Sequence, residues 1–404
     1  MAERIAVFVP TLSGGGVAKS QLRLAAGLRA RGYEVDFVVC RAEGEYRAHL
    51  PPDLHLVPLQ RSGSLRERLS AFRADPASLA AMLRPLLLPL RAPWELRYLP
   101  SLVDYLRSRR PAALISAKIN ANCMAILARK LAGAPCKVVV TERGNVTSAY
   151  PDPKEMARWR RRYRPALVRR LYPQAGAIVS VSEGVAEDLA SRIGVPVGRV
   201  KAIYNPVIGP DVLEKAQEDL GHPWLAPGQP GVVLGVGRLH PQKEFLVLMH
   251  AFASLRATRT LRLVLLGEGR EREALASCAQ ELGIAADVDM PGWVPNPYAF
   301  MARAKLFVLS SAYEGLPGVL IQALACGCPV VSTDCPDGPK EILENGRFGP
   351  LVPVGDVDAL SAAMANVLDN PMTAEVLSAR GRSFSVDVAV DCYLDVIGLP
   401  ASAR

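Results

Sequence analysis

The chain has 404 residues, half of them hydrophobic, and carries a formal charge of +9 from 48 Lys and Arg against 39 Asp and Glu. That apolar content excludes a disordered chain, and the length exceeds one ordinary core and suits two domains of about 200 residues each. No stretch reaches the roughly 20 apolar residues that cross a bilayer, and the opening MAERIAVFVPTL is too brief an apolar run for a signal-peptide core, because Pro10 ends it.

From Arg4 to Pro10 a buried strand runs into TLSGGGVAKSQLRLAAGLRARG and then into the strand YEVDFVVC, a βαβ unit. Its first turn holds Gly14, Gly15 and Gly16, followed by Lys19. The spacing is not Gly-x-Gly-x-x-Gly and no acidic residue ends the next strand in the usual place, so a dinucleotide fingerprint is set aside. LAAMLRPLLLPL, from Leu79 to Leu90, is broken by Arg84, Pro85 and Pro89; it suits lying on a membrane and cannot span one. ALISA, CKVVVTE, GAIVSVS and VKAIYN read as further strands that fill an N-terminal doubly wound α/β domain over residues 1–205. The loops SAKINANC and TERGN follow two of these strands and are expected to expose Lys118, Asn120, Asn122, Glu142, Arg143 and Asn145.

Most of the excess charge sits in KEMARWRRRYRPALVRR, residues 154–170, where Glu155 is the sole acid and Trp159 and Tyr163 interleave with the arginines. That composition suits peripheral contact with an anionic membrane through 154–170 and 79–99, and equally a solvated basic helix. With no nucleic-acid motif in the chain, a nucleic-acid partner is disfavoured.

After the Pro- and Gly-rich HPWLAPGQPG, the strand GVVLGVG opens a second domain over residues 206–385. LRLVLLG, DVDMPG, AKLFVLS and PVVSTD continue its alternation, and FSVDVAVDCYLDVIGL reads as a closing helix that carries the chain through 386–404.

SSAYEGLPGVLIQALACGCPVVSTDCPDGPKE, from Ser310 to Glu341, reads as strand, carboxylate loop, helix and strand. Glu314 comes first. Gly315, Leu316, Pro317 and Gly318 then make a tight turn, with Pro317 suited to the first turn of a helix and the glycines permitting close approach of a ligand. Free N–H groups at that helix start favour phosphate, and a carboxylate beside them is best explained as an acceptor for hydroxyl groups on the same ligand, a sugar attached to a phosphate. Gln322 lies inside the helix, which Gly327 and Pro329 close. Upstream, GVVLGVG delivers GRLHPQKE, where Arg238 and Lys243 stand five apart after Gly237 and would stabilise charge building on a diphosphate.

The Ser310–Glu341 segment resembles the donor-binding signature of retaining glycosyltransferases of family 4, in which two glutamates are separated by seven residues. Here the second glutamate is Gln322. The resemblance covers nearly the whole chain, and TDCPDGPKEIL looks most like members that extend cell-surface glycans or lipid-linked oligosaccharides from UDP-sugars. It implies a GT-B fold, two Rossmann-like domains facing a cleft, with the nucleotide sugar on the C-terminal domain, the acceptor on the N-terminal one, and the closing helix crossing back onto the latter. It further implies that Arg238 and Lys243 contact the donor's diphosphate, that the PGWVPN loop with Trp293 and Val294 offers backbone groups to the base, and that Gly15 and Gly16 lie beneath the donor phosphate and acceptor. Gly267, in the strand-end LLGEGRERE, joins the donor candidates; Lys118, Asn120 and Arg143 join the acceptor candidates. Trp293 reads equally well as a packing residue.

The eight cysteines lack a disulfide-framework spacing and argue for reduced thiols in a cytosolic compartment. Cys326, Cys328 and Cys335 lack companion histidines, and the Asp-x-Asp pairs Asp287/Asp289 and Asp356/Asp358 fit a strand and a helix start better than a cation, so no metal and no resident cofactor are expected. The expectation is a metal-independent retaining hexosyl- or N-acetylhexosaminyltransferase. It would move sugar from a nucleotide donor, UDP-linked by resemblance, to a glycan or lipid-linked acceptor at the cytoplasmic membrane face. A nucleotide-sugar-binding partner without turnover is the alternative.

Overall fold

The structure is a computed structural model of the chain and describes residues 3–402 apart from 14–15, 52, 64–69, 71–72, 76–93, 145–163, 197, 220 and 337. It divides into two units. Unit 1 comprises Met1–Pro206 with Val386–Arg404, and unit 2 comprises Val207–Ser385.

In unit 1, β1 (Arg4–Thr11), β2 (Glu34–Arg41), β3 (His55–Pro58), β4 (Ala113–Ala117), β5 (Lys137–Glu142), β6 (Ala177–Ser180) and β7 (Val200–Ala202) form one sheet in the order β3-β2-β1-β4-β5-β6-β7. Every pairing is parallel. Such a sheet needs helices on both faces, which is why β1 and β4 read as continuous apolar runs rather than alternating ones. On one face Phe8, Val38, Leu114, Val138 and Val140 pack under the helices Leu99–Arg109 and Ile119–Ala132; on the other, Val7, Phe37, Ile115 and Val139 meet the Gly16–Ala30 helix. The helix Val386–Ile397 joins this second face, burying Val390, Tyr393, Leu394 and Ile397. It runs so close to the Gly16–Ala30 helix that a Cβ at Gly27 would lie 2.5 Å from Val386.

Unit 2 repeats the plan with β8 (Gly231–Val236), β9 (Leu261–Leu266), β10 (Val288–Gly292), β11 (Leu306–Leu309), β12 (Val330–Thr333) and β13 (Leu351–Val352) in the order β10-β9-β8-β11-β12-β13, again all parallel. The Phe245–Arg256 and Val357–Asp369 helices bury Leu248, Phe252, Leu360 and Met364 against Val233, Leu263, Leu265, Val308 and Val331. β3 and β13, too short and too weakly patterned for recognition in the sequence, extend sheets that the longer strands define.

Several expectations change. Pro317 is not in the first helical turn; with ψ of 95° it precedes Gly318–Ala325 as the cap residue, because the chain arrives extended. Of residues 154–170, 154–163 lie outside the described residues. Arg169 donates to Ile193 O, and Arg170 holds Asp75 with two hydrogen bonds, so two of the basic groups are tied into the fold. Residues 79–93 are also outside the described residues, and 94–98 form a short helix in which Glu95, Leu96 and Tyr98 are buried. Among the described residues no helix is long and apolar enough to cross a membrane.

Candidate functional site

In an all-parallel sheet, ligands gather at the carboxyl ends of the strands, and in unit 2 that end carries the sequence candidates on adjacent strands β10, β9, β8 and β11. Gly292, at the end of β10, has φ of +91° and accepts from Gly267 N at 2.8 Å. Gly267, with φ of +138°, lies so near the next loop that a Cβ would sit 1.9 Å from Gly237 O; at Gly269 a Cβ would sit 2.2 Å from Leu239 O. Gly237 in turn leaves room for Lys243, whose Cε would be 2.9 Å from a Cβ there. Glycine at these positions therefore brings three loops into backbone contact and lets the lysine fold over the end of β8.

Lys243 Nζ pairs with Glu314, and Ser311 Oγ donates to the same carboxylate oxygen at 2.8 Å. Both side chains are largely buried, 14% and 11% exposed, so the pair is screened far less than a surface one. The loops are also stitched along the main chain. Ala312 N donates to Gln242 O at 2.9 Å, Gln242 Nε2 to Tyr313 O at 2.9 Å, and Ser310 Oγ to Lys243 O at 2.7 Å. Ser310, Ser311 and Gln242 were not singled out in the sequence, since their roles depend on β8 lying beside β11. Glu244 follows Lys243 in the left-handed region, φ +45°, and burial raises its carboxyl pKa.

Beyond Glu314 the Gly315–Pro317 backbone rests on Gly338, where a Cβ would lie 2.5 Å from Pro317 and 2.7 Å from Gly315 O. The Gly318–Ala325 helix then starts with no side-chain cap on its first N–H groups, leaving donors for an oxyanion. Gln322 is half-buried in this helix. Arg238 is exposed at the same sheet end. Trp293 is 73% exposed, which removes the packing reading. Three of the four Asp-x-Asp residues serve the fold: Asp287 holds Arg256, Asp289 meets His222 at 3.0 Å, and Asp356 caps its helix at Ala359 N. Burial pushes the Cys326 and Cys335 thiols up to about 12, which leaves them inert.

Unit 1 disposes its candidates differently. Gly15 and Asn145 lie outside the described residues, and a Cβ on Gly16 would meet nothing within 4 Å. Lys118 is exposed, with φ of +80°, and Asn120 donates to Glu95 at 3.1 Å. Asn122 and Glu142 are buried, contrary to the expectation of exposed loop residues. Asn122 accepts from Ser116 at 2.8 Å and donates to Thr141 O and the Tyr172 hydroxyl, and that hydroxyl donates to Glu142 at 2.6 Å. Burial, then the nearby Glu142 charge, raises the Tyr172 pKa well above its ordinary value. Arg143 is half-buried and donates to Ser20 and Asn205.

Residues 217–384 match the family model described as "Glycosyl transferases group 1", and residues 15–206 match that of a "Glycosyl transferase 4-like domain". Among curated proteins, the N-acetylgalactosamine-N,N'-diacetylbacillosaminyl-diphospho-undecaprenol 4-alpha-N-acetylgalactosaminyltransferase of Campylobacter jejuni is 33% identical over 50% of this chain and 54% of its own length. The lipopolysaccharide 1,6-galactosyltransferase of Salmonella typhimurium is 30% identical over 45% and 49%. The chain thus spans about half the length of the curated relatives it matches. Among solved structures, the apo form of the lipopolysaccharide outer core galactosyltransferase WaaB superposes with a TM-score of 0.71 at 18% identity, covering 98% of this chain and 99% of that one. Anabaena HepE in complex with UDP and glucose gives 0.72 at 18% identity over the same shares, a likeness of fold: two parallel-sheet α/β domains of the GT-B class.

Proposed function

The chain belongs to the glycosyltransferases described by the group 1 and 4-like models, and on that premise we propose that it transfers a hexose or N-acetylhexosamine, with retention, from a UDP-linked donor to a glycan or lipid-linked acceptor. The observation that carries this reading is the Lys243–Glu314 pair, which joins the two donor motifs at adjacent strand ends. In the proposed site Lys243 and Arg238 face the donor's diphosphate and offset the charge that develops as the glycosidic bond breaks, the counter-charge another enzyme would take from a divalent cation. The uncapped N–H groups of the Gly318–Ala325 helix and the Gly315–Gly318 turn receive phosphate oxygens. Glu314, released from Lys243 as phosphate takes the ammonium, accepts hydroxyl protons of the donor sugar, and Gln322 accepts from the ribose.

Trp293, with Val294, borders the base. The acceptor hydroxyl attacks the anomeric carbon from the face the diphosphate leaves, and a phosphate oxygen takes its proton, so that configuration is kept. Gly15, Gly16, Lys118, Asn120 and Arg143 are assigned to the acceptor side, and the cytoplasmic membrane face is the proposed place of action. Support for a lipid-linked or lipopolysaccharide acceptor comes from the named activities of the Campylobacter and Salmonella relatives.

The test is a thermal-shift screen against UDP, GDP, ADP and common UDP-sugars, with Arg238→Ala and Lys243→Ala alongside. A ligand at a hundred times its Kd stabilises the fold by about 2.7 kcal/mol. Stabilisation by uridine nucleotides that both variants lose is the expected result. No shift with any nucleotide sinks the donor site. A shift without transfer to any acceptor favours the nucleotide-sugar-binding alternative, to which Gln322 in place of an acid lends support.

A further inference from the structure

Two side chains hold Glu314 by the same oxygen. Lys243 Nζ pairs with Oε1, and Ser311 Oγ donates to Oε1 at 2.8 Å. Oε2 makes no hydrogen bond among the described residues and is not closed off from solvent. Ser311 is 0% exposed, so its hydroxyl reaches Glu314 and not a ligand. It stands three residues before Glu314 in the loop that leaves β11, and the chain around it is fixed from the strands on either side. Thr333, the last residue of β12 and 1% exposed, donates its hydroxyl to Ser311 O at 2.6 Å. On the β8 side, Ala312 N donates to Gln242 O at 2.9 Å.

The two holders answer differently to an arriving anion. An ammonium is a point charge with rotatable donors on a flexible stem, and phosphate oxygens compete for it directly. A serine hydroxyl has one proton to donate, and its bond to a carboxylate oxygen is charge-assisted, roughly twice as strong as a neutral one. Buried in the loop, the Ser311 hydroxyl has no phosphate to turn to. In the function proposed above, the donor's phosphates draw Lys243 off Glu314 at the step in which Glu314 must meet the sugar. Without a second holder the carboxylate would then turn freely about its side-chain bonds, and the sugar would have to immobilise it. With Ser311 in place, Oε1 stays bound to the loop and Oε2 is left to accept.

We propose that Ser311 is a positioning residue for sugar recognition: it keeps Glu314 Oε1 anchored when the donor's phosphates take Lys243, so that Oε2 is presented to a hydroxyl of the donor sugar. This deepens the donor half of the function proposed above and rests on it. Ser311 acts through Glu314 alone, and it acts on the sugar part of the donor and not on the nucleotide.

Calorimetric titrations with UDP, UDP-glucose, UDP-galactose, UDP-N-acetylglucosamine and UDP-N-acetylgalactosamine are made on the native chain, on Ser311→Ala, on Glu314→Ala and on the double variant. The readout is the ratio of two dissociation constants, that of the UDP-sugar the native chain binds best over that of UDP. Ser311→Ala is expected to raise this ratio about three- to tenfold, the cost of immobilising one flexible side chain, and to leave the Kd for UDP within about twofold of native. UDP is spared because the Ser311 bond to Oε1 is present in both the free and the UDP-bound chain and cancels. Glu314→Ala raises the ratio at least as far, and adding Ser311→Ala to it raises the ratio no further. Both ligands are compared on one folded protein, so a loss of stability in a variant does not move the ratio. UDP and UDP-sugar weakened alike by Ser311→Ala, or neither weakened, overturns the positioning role and leaves Ser311 a structural residue. An additional rise in the double variant overturns the route through Glu314. UDP-sugars that bind Glu314→Ala as they bind the native chain sink the sugar-facing role of Glu314, and failure of every nucleotide to bind the native chain sinks the donor site; neither result follows from a failure of Ser311 alone, so the two kinds of failure are distinguishable.

Discussion

Above β10, β9, β8 and β11 of unit 2, Gly292, Gly267 and Gly237 draw the loops together until Lys243 reaches Glu314, whereas in unit 1 Asn122 and Glu142, at the ends of β4 and β5, are sunk into the fold, and Gln21, in the helix that follows β1, is left unpartnered. Both units are parallel sheets covered by helices. They differ in what positions the polar groups. In unit 2 the positioning is done by main chain against main chain, where nothing has rotamers to lose, so the site is framed before a ligand arrives. In unit 1 it is done by side chains, and some of their hydrogen-bonding capacity is unused, as at Gln21. The contrast to test is a loop frame set by main chain in unit 2 against polar side chains with unused hydrogen-bonding capacity in unit 1.

The largest effect is expected at the pair that ends the unit 2 frame. Lys243→Ala removes charge from a largely buried position and should lower kcat/KM for sugar transfer by about 10²–10³-fold, or about 3–4 kcal/mol. A loss below tenfold in a transfer assay would remove Lys243 from the machinery. The frame itself is tested by Gly267→Ala against Gly16→Ala. The first places a Cβ 1.9 Å from a carbonyl at φ +138° and should cost about 3 kcal/mol in urea unfolding, while the second meets open space and should change stability by less than about 1 kcal/mol. Similar midpoints for the two variants would break the contrast between the units.

Smaller effects sharpen it. Gln322→Glu restores a charged acceptor opposite the proposed ribose and should tighten UDP binding by about 1 kcal/mol, some fivefold by titration calorimetry. An unchanged Kd would mean that Gln322 does not face the nucleotide. Glu244→Gly relieves a left-handed backbone that only glycine adopts freely and should add about 1 kcal/mol to stability. The gain should depend on pH. Burial raises the Glu244 pKa, so the folded chain holds this proton more tightly than the unfolded one; its favourable contribution is present below the ordinary carboxylate pKa and fades as pH rises through the raised value. Glu244→Gly should therefore gain more at pH 8 than at pH 4, and equal gains would show that the carboxyl is well solvated.

Much of this was legible in the residues. The alternation of short apolar strands with helical stretches announced two doubly wound domains, and Glu314 with the Gly315–Gly318 turn stood out as a carboxylate beside an anion-binding turn, while Arg238 and Lys243, common residue types alone, gained weight from lying in the same domain. Trp293 was ambiguous, since a tryptophan is as often packing as contact, and only its exposure set the packing reading aside. SAKINANC and TERGN were misread in part for a related reason. A polar residue at a strand end looks solvent-facing until its neighbour on the next strand or helix is known, and for Asn122 and Glu142 that neighbour is Tyr172, about 30 to 50 positions away.

The sequence by itself determined the elements and the chemical types at the strand ends, because hydrophobic period, glycine, proline and carboxylate spacing are local properties. Tertiary structure alone decided which of those ends are neighbours. Lys243 and Glu314 are 71 positions apart and meet because β11 pairs with β8, and Arg143 meets Ser20 and Asn205 because the sheet and the first helix enclose it. Strand order is a property of how the whole chain buries its apolar faces, and no window of residues contains it.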